Sequence, residues 1–513
     1  MSLTPAQSCA SPPPSPSRTW QEPLAPDKPR KEAPLTAPLV VDLDGTLTPT
    51  DTLVESTIHA VKHHPALLLR LPFILLQGRA RFKQRIATLA GAHFNPDTLP
   101  YNEPLLAYLR SEKARGRQLV LATAADRCIA QAVADHLGLF DRVIASDGID
   151  NLKGEQKRRR IQETVGPEFS YAGDHVADLP VWAFASAAVL VGVSPRVARA
   201  LPQQCPVERT FSSPKAGFKD WMRALRVHQW SKNILLFVPL LTAFSLFDLE
   251  RLSAMLMAFM AFSLVASATY IVNDLLDLDS DRGHPRKRTR PFASAQISIL
   301  TGAAVGCVML VLGLVMAALI SLPMLLTLVL YLAITSSYTW VLKRYVLIDV
   351  VILSVLYTLR ILAGSIAAGV QISSWLAAFS LFIFLSLALV KRCAELVSLS
   401  QGSSTLIKGR DYHVSDLPVL WPLGVGSALS AIVVFGMFIN AAETQERYDS
   451  PQLLWGAAVV MIYWTAGLWI KTVRGEMHDD PIVYSLTNTN SLVCIATMVG
   501  ITVVAQFFHM RWL

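Results

Sequence analysis

Charge is what this sequence lacks most. Only 16% of its 513 residues are Asp, Glu, Lys or Arg, while 52% are hydrophobic. That balance is too apolar for a wholly soluble protein of this size. Cysteine is scarce as well. The six (Cys9, Cys128, Cys205, Cys307, Cys393, Cys494) are scattered with no C-x-x-C pair, which argues against a zinc site or a disulfide framework. Those in apolar runs read as small core residues. The N-terminus has no apolar h-region. Residues 1–36 are rich in Pro and Ser and read as a disordered tail without a secretory signal. Acidic residues are outnumbered, leaving a net charge of +8. The surplus bases sit at the ends of apolar segments, which suits membrane orientation and argues against a nucleic-acid partner.

A chain this long predicts at least two domains, and the composition divides it. Residues 1–230 carry an ordinary mix of charges, and 231–513 consist largely of long apolar runs. The expected boundaries are a tail at 1–36, a folded domain at 37–205, a linker or interfacial segment at 206–230 and a membrane domain at 231–513. Within the first domain, "PLVVDLDGTL", "GRQLVLATAAD", "DRVIASDG", "FSYAGDHVAD" and "AAVLVGVS" read as five strands separated by helical patterns. That alternation predicts an α/β fold with a parallel sheet. Residues 54–100 read as a helical insert between the first two strands. Its apolar stretch 65–78 is too short to span a bilayer, so it is either a buried helix of a small cap or an interfacial segment.

About nine spans are expected, near 233–248, 252–273, 297–320, 323–342, 346–369, 374–391, 417–441, 452–471 and 490–509. Lys219, Arg223, Arg226 and Lys232 precede the first. Every even-numbered connection is basic: Arg282, Arg286, Lys287, Arg288 and Arg290; then Lys343 and Arg344; then Lys391, Arg392, Lys408 and Arg410; then Lys471 and Arg474. The other side holds only Arg251, Arg447 and Arg511. The pattern predicts a multi-pass protein of the cell membrane with its first domain and basic loops facing the cytoplasm.

Two clusters of residues carry chemistry. In the first domain, Asp42 and Asp44 lie two apart at a strand end and point the same way. One can attack phosphorus while the other shuttles a proton. Thr123 ends the next core strand, where a hydroxyl can hold a phosphate oxygen. Asp174 and Asp178 end another and could supply carboxylates to Mg²⁺. Lys157 could neutralise the charges brought together, with Lys153 as a competitor. These motifs, DLDGT (42–46), Thr123, Lys157 and GDHVAD (173–178), resemble the haloacid dehalogenase superfamily of phosphohydrolases over about 38–200. The resemblance implies a Rossmann-like α/β domain with a small helical cap. It also implies Asp42 as a nucleophile that becomes an aspartyl phosphate, Asp44 as general acid/base and Mg²⁺ ligand, Asp174 as a metal ligand and Asp178 as a support of the metal site.

In the apolar half, Asn273, Asp274, Asp277 and Asp281 close the second span. Positions 274, 277 and 281 share one helix face. Three carboxylates at a membrane helix end repel one another, a cost that Mg²⁺ bound with substrate phosphates would offset. This N-D-x-x-D-x-x-x-D array resembles the first acidic motif of the UbiA prenyltransferase superfamily, and about 219–510 is similar to it. Such a fold is all-α and polytopic. Most members carry a second D-x-x-x-D motif, but here the matching place reads "SSYTWVLKRYVLID", with Tyr338, Lys343 and Asp349. "LRVHQWSKN", "DRGHPRKRTRPFAS", "LVKRCAEL" and "GRDY" resemble the decaprenyl-phosphate phosphoribosyltransferase branch, apart from Ala295 where a Gly is common. That likeness implies phosphoribosyl diphosphate as donor and a polyprenyl phosphate as acceptor. Candidate phosphate-binding bases are Lys232, Lys287, Arg288, Arg290, Lys343, Lys391 and Arg392, since arginine grips phosphate bidentately and lysine acts as a point charge. The reading is a bifunctional enzyme of cell-envelope synthesis whose first domain removes the 5-phosphate from the transfer product. Its alternatives are an aromatic prenyltransferase and a membrane-tethered phosphatase. The sequence leaves a homo-oligomer open.

Overall fold

A computed structural model describes residues 37–513 apart from 65, 77, 91–93, 148–151, 214–215, 372, 401–409, 478–479 and 509–513. The expected tail at 1–36, with Cys9, Lys408 and Arg511, lies outside the described residues. The chain divides into two compact units. One joins the residues up to Ala224 with Ile271–Ala304, and the other joins Leu225–Tyr270 with Val305–Leu513.

The first unit is built on a six-stranded parallel sheet. Its strands are β1 (Leu39–Val41), β2 (Leu119–Asp126), β3 (Arg142–Ser146), β4 (Ser170–Gly173), β5 (Ala187–Val191) and β6 (Val207–Phe211), in the order β3-β2-β1-β4-β5-β6. Strands covered on both faces need apolar residues at successive positions. Leu39 and Val41 enter one core cluster while Val40 enters the other, as alternating side chains require. The sheet extends past the expected boundary: β6 pairs with β5 inside the stretch read as a linker at 206–230. Its sequence VERTF has no apolar run because it forms the edge. Glu208 is held there by the two guanidinium nitrogens of Arg117, at 2.6 and 3.1 Å.

The helical insert comprises α1 (Thr52–His63), α2 (Leu67–Leu76) and α3 (Arg79–Ala90). The Asp51 carboxylate caps α1 by accepting from the Leu53 and Val54 amides. Ala60, Leu67, Ile74 and Ile86 form the insert's own core. α2 therefore buries one face, while Phe73 and Leu76 stay exposed at 69% and 84%.

Among the described residues, eight helices are long and apolar enough to cross a membrane: Leu249–Leu276, Ile299–Ile320, Leu322–Trp340, Ile348–Ala368, Ser374–Ser400, Val414–Ile439, Pro451–Val473 and Thr489–Phe507. The expected first span at 233–248 is not such a helix. It is a 3-10 helix, Val227–Phe237, followed by the short α-helix Val238–Thr242. Pro239 lacks an amide hydrogen and can begin a helical segment but not continue one. Gly364 admits this element closely, because a Cβ there would stand 2.0 Å from the Leu236 carbonyl oxygen. The protein is a multi-pass membrane protein.

Candidate active sites

The carboxyl ends of β1, β2 and β4 meet in one pocket, the edge where parallel sheets bind ligands. Asp42 and Asp44 follow β1, Thr123 lies in β2, and Asp174 and Asp178 follow β4. The Lys157 ammonium lies 2.8 Å from Asp42 and 4.0 Å from Asp178, so Lys157 is the base that reaches the aspartate pair. Lys153 lines the same pocket. Asp178 is fastened by the Asp174 and His175 amides and by the Tyr171 hydroxyl at 2.8 Å. The Thr46 hydroxyl donates to Asp174 at 3.2 Å. Thr123 is buried and accepts from the Ala125 amide at 3.0 Å. Burial pushes the Asp42 carboxyl above its ordinary range against the pull of Lys157. Burial and the nearby Asp51 push Asp44 up to about 7, and burial with Asp178 and Asp42 pushes Asp174 up to about 8.

Carboxylates crowded this way suit a cation. Ligand oxygens of Asp42, Asp174 and Asp178 lie within 4.8 Å of one another. Gly45 makes room for them: it takes a positive φ of 78°, and a Cβ on it would stand 2.2 Å from an Asp174 oxygen. Hard oxygen donors with that spacing fit Mg²⁺.

A second acidic group lies in the same unit, at Ile271–Ala304. Helix Leu249–Leu276 stops before Asp277, and a short helix, Leu278–Arg282, follows. The expected metal array of Asp274, Asp277 and Asp281 is not closed. Among the described residues only the Asp42 group draws three carboxylates within 4.8 Å. Arg290, expected as a phosphate contact, stands between two members of the expected array. Its guanidinium donates to Asp274 at 3.2 Å and to Asp281 at 2.6 Å, supplying the positive charge that two buried carboxylates need. Asn273 and Asp277 are half-buried, while Lys287 and Arg288 are exposed.

The remaining candidates lie in the second unit. Lys232 and Lys391 both grip Asp480, at 2.9 and 3.0 Å. Burial opposes the Asp480 charge, but Lys391 and Lys232 outweigh it and hold the carboxyl well below the usual range. Asp349 and Arg392, expected as substrate contacts, are fully buried and paired at 2.6 Å. The Tyr412 hydroxyl also donates to Asp349, and Arg392 also meets Glu395. Neither side chain opens to a ligand, so they join the helices Ile348–Ala368 and Ser374–Ser400. Tyr338 closes the helix Leu322–Trp340 and Lys343 sits in the turn Leu342–Arg344, both half-buried.

Sequence reasoning missed several residues. Lys83 of α3 lines the Asp42 pocket and donates to the Ala124 carbonyl at 2.8 Å. Asp480 lies in a polar stretch, 475–485, that carried no specific role. Glu55, on α1, holds Arg282 in a two-pronged ion pair whose closest contact is 2.6 Å. Arg360 is an arginine inside a membrane helix, where an ionisable side chain is itself a signal. It donates to Asn233 and to the Tyr331 hydroxyl.

Ala295 adopts a positive φ of 54°, a region costly for a residue with a Cβ. Replacing Ala295 with Gly relieves strain but loosens the unfolded chain, so thermal denaturation should show a change within about 0.5 kcal/mol. Ala295→Val should cost more than about 1 kcal/mol.

Fold and site together define a class: a polytopic membrane protein joined to a parallel-sheet domain with a carboxylate-lined pocket. Comparisons sharpen this. The model of the haloacid dehalogenase-like hydrolases matches residues 39–182, and that of the UbiA prenyltransferase family matches 234–397. The uncharacterized protein y4nM of Sinorhizobium fredii is 39% identical over 456 residues, 88% of each chain. Nodulation protein NoeC of Azorhizobium caulinodans is 36% identical over 55% of this chain and 91% of its own. A decaprenyl-phosphate phosphoribosyltransferase of Mycobacterium tuberculosis is 32% identical over 51% of this chain and 85% of its own. The chain belongs to the UbiA prenyltransferase family and carries a haloacid dehalogenase-like hydrolase domain at its N-terminal end.

Proposed function

We propose that the membrane domain transfers 5-phosphoribosyl from phosphoribosyl diphosphate to a polyprenyl phosphate, and that the hydrolase domain then removes the 5-phosphate. The similarity to the mycobacterial phosphoribosyltransferase across most of that protein's length carries the first half. The pocket that gathers Asp42, Asp44, Asp174 and Lys157 supports the second.

In the transfer, the bond from ribose C1 to the diphosphate oxygen breaks as a lipid phosphate oxygen bonds to C1. The protein's task is to orient the two reactants and balance their charge. Lys287 and Arg288 are exposed for phosphate contacts; Lys232, Lys391 and Lys343 are further cations of the second unit. Bound Mg²⁺ would neutralise phosphate oxygens: Asp42, Asp174 and Asp178 would hold it in one site, and in the other Asp274, Asp277 and Asp281 would hold it only on exchanging Arg290 for the cation. In the hydrolysis, an Asp42 oxygen bonds to phosphorus while the ester oxygen leaves, and Asp44 gives that oxygen its proton. Water then attacks the aspartyl phosphate, Asp44 accepts its proton, and phosphate departs. The high value of Asp44 fits a carboxyl that donates first and accepts later. Lys157 steadies Asp42, and Thr123 is assigned the holding of a phosphoryl oxygen on the strength of its position in β2.

We place both sites on the cytoplasmic face of the cell membrane, where the basic connections would lie. Detergent-purified protein with Mg²⁺, polyprenyl phosphate and labelled phosphoribosyl diphosphate should put label into the lipid phase. Asp277→Ala should reduce that transfer about a thousandfold. Label transfer that survives Asp277→Ala would contradict the assignment of the acidic array.

A further inference from the structure

Lys232, Lys391 and Asp480 come from three separate elements of the second unit. These are the 3-10 helix Val227–Phe237, the membrane helix Ser374–Ser400 and the start of a short helix, Pro481–Thr487. Asp480 divides its carboxylate between two tasks. One oxygen accepts from the Ile482 amide at 3.2 Å and caps the short helix. The other takes both ammonium groups, Lys232 at 2.9 Å and Lys391 at 3.0 Å. The Lys232 ammonium also lies 5.8 Å from the centre of the Tyr357 ring, a neutral partner for its charge.

The charges of this trio do not balance. Two ammonium groups share one carboxylate oxygen, which leaves a net positive charge. Among the described residues, Asp480 is the acid within ion-pair distance of either lysine. Like charges drawn to one atom repel each other, and a second anion between them would relieve that repulsion. The Lys232 side chain is 12% exposed, but that of Lys391 is 35% exposed. The Lys391 ammonium can therefore turn from Asp480 toward an incoming anion. A phosphate suits such a pair, because it offers several acceptor oxygens to two point charges. A third lysine meets the same short helix: the Lys471 ammonium donates to the Tyr484 hydroxyl, one turn beyond Asp480.

We propose that Lys232 and Lys391 form a phosphate-binding site whose affinity is set by Asp480, the carboxylate competing with the phosphate for the two ammonium groups. This rests on the reading of the membrane domain as a transferase of phosphorylated substrates and names the residue that tunes it. The phosphate belongs to the soluble donor or to the lipid acceptor, and each is a separate arm of the test. A role confined to packing predicts the opposite sign for Asp480. Loss of a packing contact weakens binding, whereas loss of a competing anion strengthens it.

The test titrates the full-length protein in detergent with phosphoribosyl diphosphate and, separately, with a polyprenyl phosphate. Mg²⁺ is chelated and binding is followed by calorimetry. The Asp42 pocket is the same in every variant, so it cancels from the comparison. Asp480→Asn should bind at least one of the two ligands at least about tenfold more tightly than wild type, and the ligand that responds identifies the phosphate. Asn keeps an oxygen that can cap the short helix. Lys391→Gln should bind the same ligand at least about tenfold more weakly; its side chain is partly exposed, so this variant should fold. Unchanged or weaker binding of both ligands by Asp480→Asn overturns the inference. Binding of wild-type strength by Lys391→Gln also overturns it, and decides the matter if Asp480→Asn does not fold. Tighter donor binding by Asp480→Asn, in a protein whose wild type moves no ribose to lipid, keeps the inference and sinks the transfer reading. Normal ribose transfer with unmoved affinities does the reverse.

Discussion

Asp42→Asn should leave the transfer product carrying its 5-phosphate. An amide at this position cannot form the aspartyl phosphate, and the loss of a covalent nucleophile should lower hydrolysis by at least about a thousandfold. Asp42 sits 2.8 Å from Lys157, and the substitution preserves size and shape, so the fold should persist. Incorporation of labelled ribose into lipid should continue at its normal rate, because Asp42 belongs to the carboxylate group with Asp174 and Asp178 and not to the acidic array at 274–281. Measured by thin-layer chromatography, the product should shift entirely to the more highly charged spot. A variant that still dephosphorylates at the wild-type rate would remove the hydrolase domain from the sequence of reactions.

Glu55→Ala should lower both activities together. Glu55 is 1% exposed and pairs with Arg282, whose side chain is 7% exposed. Arg282 also donates to the Ala293 carbonyl, and it directly follows Asp281 of the acidic array. Removing the carboxylate strands a buried guanidinium, a loss of roughly 3–5 kcal/mol. The damage should appear as a lower melting temperature of the first unit, with transfer and hydrolysis falling in parallel. Glu55→Asp should recover part of each. The neighbouring contacts share this role: His59 lies 3.3 Å from Asp279 and Thr98 donates to it. Loss of hydrolysis alone, with transfer and melting untouched, would show that Glu55 acts only within the Asp42 pocket.

These two residues show what a single sequence can and cannot reveal. Asp42, Asp44, Thr123 and Asp174 stand at or beside the ends of strands, and each such end is marked by an apolar run followed by polar residues. Their convergence follows from the order of the sheet. Lys157 was separable from Lys153 because Ile161, one helical turn on, marks the buried face of its helix. Glu55 and Arg282 lie 227 residues apart, as Lys232 and Asp480 lie 248 apart. No local pattern announces such pairs. The edge strand β6 was hidden by its charges, and the expected first span at 233–248 is instead a 3-10 geometry that no hydrophobic period describes. Arg290 was legible as a base beside phosphates, but its position between Asp274 and Asp281 emerged only in three dimensions. Asp349 and Arg392 were legible as two separate candidate substrate contacts and not as a buried pair between helices.

The central claim is that one chain performs both steps on one lipid. The direct measurement follows labelled ribose from phosphoribosyl diphosphate into polyprenyl phosphate with purified wild type, Asp277→Ala and Asp42→Asn side by side. The account predicts dephosphorylated labelled lipid with wild type, none with Asp277→Ala, and only the 5-phosphorylated lipid with Asp42→Asn. Label that never enters lipid with folded wild type, but a prenyl group that does move from a prenyl diphosphate to an aromatic acceptor, would contradict it.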